Sequence, residues 1–234
     1  MVGDGATMQK NKELLMLKVV IFDSGWGGEM FADYVEEQIK VIDVIRVIDW
    51  RNAPYNKHTK EEIIRLSEAA LYPYIGNVNV IVLASNEVTA VALDYLKKKY
   101  PEQKFVGFNW DELRKWSTRR ILVLTTGLVK QSNDYLKAKK NWVKAKIKEC
   151  LCEDWAQLID DGELTNEKIE ADIGNNKAYD PDVIMLGCTQ FADIKNTLSK
   201  IFGWRTTIID NYRPTLQELC HALGFLGGDG ERRR

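Results

Sequence analysis

A thiol, a hydroxyl and a carboxylate each stand just past an apolar run in this chain. Val183-Ile-Met-Leu-Gly-Cys-Thr-Gln190 reads as a buried strand that delivers Cys188 to its carboxyl end. Ligands of open α/β sheets lie at that end of the strands. A thiol there is a nucleophile or base once its pKa is lowered. It is equally a small core residue, and the neighbouring residues leave both roles open. Residues 78–83 lead in the same way to Ala84-Ser-Asn86, and residues 17–22 to Asp23-Ser-Gly-Trp-Gly-Gly28. The last is a glycine-rich turn between a strand and a helix, a place where backbone N–H groups face anions. Its spacing is not G-x-G-x-x-G and it lacks the lysine of a P-loop. A carboxylate is as good a guest there as a phosphate, and a plain tight turn is the alternative.

These residues need elements to hold them. Strands are expected over 17–22, 41–50, 78–83, 105–108, 120–124, 183–186 and 206–209. Helices are expected over 29–40, 60–74 (capped by Thr59), 87–99, a long region near 128–148, one or two within the acidic stretch 153–175, one near 191–200 and one from Pro214. Strands alternate with helices, so the fold class is α/β with mainly parallel sheets flanked by helices. A weak repeat runs through the alternation. Ser24 and Ser85 are 61 residues apart, and Thr126 and Cys188 are 62 apart. Each pair is a hydroxyl-plus-glycine turn followed by a small polar residue after a buried strand. Two similar halves facing each other would put Ser85 and Cys188 on opposite walls of one cleft, although α/β units of ordinary length also produce such spacing.

The bulk numbers narrow the function classes. With 234 residues, 45% hydrophobic and 29% charged, the chain is an ordinary globular protein. A net charge of -1 gives no electrostatic case for nucleic acid. Residues 1–17 read as a loose lead-in without a signal peptide, Glu231-Arg-Arg-Arg234 as a solvated tail, and no apolar run is long enough to span a bilayer. Cys150, Cys152, Cys188 and Cys220 form no C-x-x-C pair and only His58 and His221 accompany them, so no metal site is expected. Reduced thiols suit a cytoplasmic protein. His58 reads as a surface residue; Trp155 and Trp204 read as packing residues.

Five motifs, Phe22-Asp-Ser-Gly-x-Gly-Gly28, Ala53-Pro-Tyr55, Ala84-Ser-Asn86, Leu124-Thr-Thr-Gly127 and Leu186-Gly-Cys-Thr189, follow one another in an order and spacing that resembles glutamate racemase, within the aspartate/glutamate racemase superfamily. The resemblance spans about residues 18–225. It implies two similar α/β domains with the active-site cleft between them: residues 18–115 plus 210–234, and 116–209. It implies a cofactor-independent isomerase acting on a small acidic amino acid, glutamate or aspartate, with a place in peptidoglycan-precursor supply. It implies a homodimer, and no nucleic-acid or membrane partner. Carried over residue by residue, the catalytic positions are Cys188, Ser85 and Asp23. The substrate-binding positions are Ser24, Pro54, Tyr55, Asn86, Thr126, Thr189 and Gln190.

The chemistry explains the pattern. Inverting an α-carbon takes one group to remove the proton and another to return one on the far face, and cysteine suits both tasks. The family uses two cysteines. Here the first is Ser85, a much weaker acid. Glu87 stands where the family has threonine, Asn56 where it has glycine, and Gln190 where it has histidine. Four readings therefore stand side by side: a racemase, a one-thiol enzyme working from Cys188 on one face (decarboxylase-like or one-sided proton transfer), a non-catalytic binder of an acidic amino acid, and an interaction protein that kept the fold.

Overall fold

The computed structural model describes residues 16–141 and 144–225. Most of the expected lead-in and the basic tail lie outside them; Leu17, at the end of that lead-in, opens the first strand, as the strand expected over 17–22 has it. Eight strands form two four-stranded parallel sheets. The first holds β1 (Leu17–Asp23), β2 (Ile42–Ile48), β3 (Val80–Leu83) and β4 (Lys104–Gly107) in the order β2-β1-β3-β4. The second holds β5 (Arg120–Thr125), β6 (Lys146–Leu151), β7 (Val183–Leu186) and β8 (Thr207–Ile209) in the order β6-β5-β7-β8. The two orders are the same, so the repeat seen in the spacing is a repeat of topology.

The central strands are apolar runs because both faces of a parallel sheet are covered. Residues 19–22 of β1 and all of β3 and β7 are buried. The helices in chain order are α1 (Trp26–Gln38), α2 (Lys60–Leu71), α3 (Asn86–Lys99), α4 (Gly127–Lys130), α5 (Asn133–Asn141), α6 (Trp155–Asp160), α7 (Asn166–Ile173), α8 (Lys195–Phe202) and α9 (Tyr212–Ala222). Thr59 caps α2 as expected, in a reciprocal pair with Glu62. The last helix, α9, turns back and packs Tyr212, Leu216 and Leu219 onto the first sheet's core beside Phe31 and Phe108.

Three expectations are corrected. The long helical region near 128–148 is two short helices followed by β6, an edge strand whose lysines and glutamate suit a helix surface equally well. Cys150 lies on this strand, with Cys152 just beyond its end. Helix α1 begins at Trp26, so two of the turn glycines sit in its first turn. Trp204 is 89% exposed, with Arg205 over its ring, and packs no core, whereas Trp155 is fully buried against Phe191.

Candidate active site

Four strand ends meet where the two sheets face each other. Central strands β1 and β3 of the first sheet end at Asp23 and run on to Ser85; β5 and β7 of the second run on to Thr126 and Cys188. The carboxyl ends of both sheets converge on residues that line one cavity. The junction is tight. A Cβ on Gly27 would lie 2.5 Å from the Thr189 Cβ and 2.9 Å from the Gln190 nitrogen. Only glycine lets the first turn of α1 approach the other half this closely. The Thr189 hydroxyl donates to the Ala84 carbonyl at 2.8 Å across the same seam.

A cavity of about 10 Å³ lies at the meeting point, lined by Asp23, Ser24, Pro54, Tyr55, Asn56, Ser85, Glu87, Ala156, Cys188 and Gln190. That is room for about one water molecule. Asn56 also borders a larger vestibule of about 450 Å³. Of the ten residues expected at the site, seven line the cavity itself. Asn86, Thr126 and Thr189 are buried just behind it, in the walls. His58 lies outside the cavity, with its Nε2 2.8 Å from the Asn52 carbonyl.

Ser85 caps the N-terminus of α3, its Oγ accepting from the Val88 N–H at 3.4 Å. The same hydroxyl reaches Glu87 Oε2 at 3.4 Å, while the Thr126 hydroxyl donates to Glu87 Oε1 at 3.0 Å. Cys188 donates its S–H to Gln190 Oε1 at 3.0 Å. Burial, and after it the carboxylates of Glu87 and Asp23, push the Cys188 thiol up, so it rests protonated. Asp23 accepts from the Ser24 N–H at 2.6 Å. Burial raises its pKa well above the usual carboxylate range, and Glu87 and Asp160 add to the rise. Burial raises Glu87 as well.

Asp160, which nothing in the sequence set apart from the acidic stretch around it, is part of this site. Its Oδ1 accepts from the Trp26 N–H at 3.2 Å, at the N-terminus of α1. The guest of the glycine-rich turn is thus a carboxylate of the chain itself. The contact joins residues 134 apart, a separation that local pattern does not reveal.

No protein-family model matches the chain. The glutamate racemase of Aquifex aeolicus strain VF5 is 30% identical over 211 residues, which is 87% of this chain and 82% of that protein. The chain belongs to the glutamate racemase family. Solved glutamate racemases share the fold. One isoform from Bacillus anthracis gives a TM-score of 0.78 at 22% identity, over 91% of this chain and 83% of the other. The Escherichia coli glutamate racemase, solved in complex with L-glutamate and the activator UDP-MurNAc-ala, gives 0.80 at 18% identity, over 94% and 86%. Within this glutamate racemase-like framework, the hydroxyl of Ser85 and the thiol of Cys188 line one cavity, as the repeat suggested.

Proposed function

We propose that this chain binds an amino acid in the cleft between its two sheets and moves the α-proton at one face, with Cys188 as the acid–base group. The observation that carries the reading is the asymmetry of the cavity. Two strand ends, one from each sheet, present a hydroxyl and a thiol to it, and of these the thiol is by far the stronger acid. Ser85 serves as a helix cap and lies against a carboxylate.

The step needs side chains alone, so no cofactor enters it. The thiol proton passes to a carboxylate of the cleft, which leaves the site's net charge unchanged. The thiolate then takes the α-proton. The C–H electron pair stays on the α-carbon and spreads into the ligand's own carboxylate. Return of a proton from the same sulfur restores the starting enantiomer. A ligand ammonium beside Asp23 offsets the negative charge that keeps the thiol protonated. Four free cysteines fit a cytoplasmic setting.

The test is α-proton exchange in D2O followed by NMR. Each enantiomer of glutamate, aspartate and other amino acids is assayed separately. Exchange without inversion, abolished by Cys188→Ala, is the expected result. Inversion by the parent chain would overturn the one-face reading in favour of a racemase that uses Ser85. Ser85→Cys supplies a second thiol and is expected to convert exchange into inversion, visible by chiral chromatography. It costs about 1 kcal/mol of stability through the lost cap.

A further inference from the structure

Three of the donors around the cleft are engaged by carboxylates of this chain. Asp160 takes the Trp26 N–H and Glu87 takes the Thr126 hydroxyl. Glu153 takes the Gly127 N–H at 2.7 Å. Two backbone N–H groups and one hydroxyl are therefore satisfied from within.

The acceptors are in the opposite condition. Asp23 Oδ2 and Asn56 Oδ1 both belong to lining residues, both are buried, and neither has a hydrogen-bond partner. Asp23 is only 1% exposed. Buried acceptors without partners are costly, and a donor-rich ligand satisfies them. No Lys, Arg or His is among the residues that line the cavity, while two carboxyls are. The vestibule continues the trend. Glu153, Asp161 and Asp154, the last ion-paired with Lys168 at 3.1 Å, line it with one cation, Lys57, whose ammonium is bonded to Gln157.

We infer that the cleft selects an amino acid with a cationic side chain over a dicarboxylate, with the α-ammonium on Asp23 and the side-chain cation in the carboxylate-lined vestibule. The inference rests on the preceding reading that the cleft holds an amino acid. Glu87 is the residue that excludes a second carboxylate, because it adds a like charge and engages the Thr126 hydroxyl. Lysine, ornithine and arginine are the chemistry that fits; glutamate and aspartate are not.

The experiment measures binding by ligand-observed NMR, and α-proton exchange in D2O, for both enantiomers of lysine, arginine, glutamate and aspartate on the full chain. Lysine or arginine is expected to bind at least tenfold more tightly than glutamate at neutral pH. Added salt should narrow the gap, since the vestibule is open to solvent. Glu87→Thr is expected to strengthen glutamate binding at least tenfold. Asp161→Lys, on an exposed residue that does not touch the core, should weaken lysine binding several-fold without changing the melt.

The outcomes separate the two claims. Glutamate bound as tightly as lysine, with exchange, overturns the selectivity and leaves the one-face chemistry standing. Cationic ligands bound without exchange keep the selectivity and remove the chemistry. Failure of every amino acid to bind overturns both. A lysine-to-glutamate ratio unmoved by either variant also overturns the selectivity.

Discussion

Glu87 is a carboxyl group held 6% exposed with hydroxyls as its hydrogen-bond donors. Burial lifts its pKa above the usual carboxylate value, so the folded chain holds this proton more tightly than the unfolded chain does. Its contribution to stability is then fully present below the ordinary carboxylate pKa. It is lost as pH rises through the raised value. Glutamine suffers no such loss and keeps an oxygen for the Thr126 hydroxyl. Glu87→Gln should therefore be more stable than the parent at neutral pH by about 1 kcal/mol. That is a few degrees in Tm. The gap should close in melts taken near pH 4, where an ordinary carboxylate is half protonated. A variant equally stable at both pH values would show that Glu87 is not strained by its burial. This residue was legible as a departure from the family's motif. Asp160, which accepts from the Trp26 N–H, was not, because the contact that gives it meaning crosses the seam.

At the scale of elements, the strand ends were readable and the edges were not. Strands β1, β3, β5 and β7 are central, covered on both faces, and so written as unbroken apolar runs. Edge strand β6 has one buried residue, Cys150, among lysines and a glutamate that suit a helix surface equally well. The start of α1 was misplaced for a related reason. Gly27 and Gly28 look like turn residues, yet they are helical, because what they accommodate is a neighbour and not a turn. Gly27→Ala tests this. A helix interior normally gains from alanine over glycine. Here the added methyl meets Thr189, so the variant should lose about 1–3 kcal/mol. Urea melts would read the difference; a gain in stability would mean that the seam yields to the methyl.

The whole molecule is two sheets clasped over a cavity too small for an amino acid. Part of the clasp is the segment after Pro54: Asn56 donates to the Glu153 carbonyl, and Lys57 to Gln157, both on the other half. On the proposed reading, ligand entry parts these bonds. Lys57 is exposed, so Lys57→Ala should cost little stability, within about 0.5 kcal/mol. Amide hydrogen exchange in residues 55–57 and 155–160 should nonetheless quicken, because the mouth opens more often. Unchanged exchange there would place the opening elsewhere.

The return of α9 to the first sheet has a consequence for how the protein is made. Every residue of the second sheet has been synthesised once Ile209 has been added. The first sheet, begun almost 200 residues earlier, still lacks Tyr212, Leu216 and Leu219 to cover Phe31 and Phe108. On the ribosome the half that starts first is therefore the half that finishes last, and its apolar face stays open to the cell's chaperones until the final helix emerges.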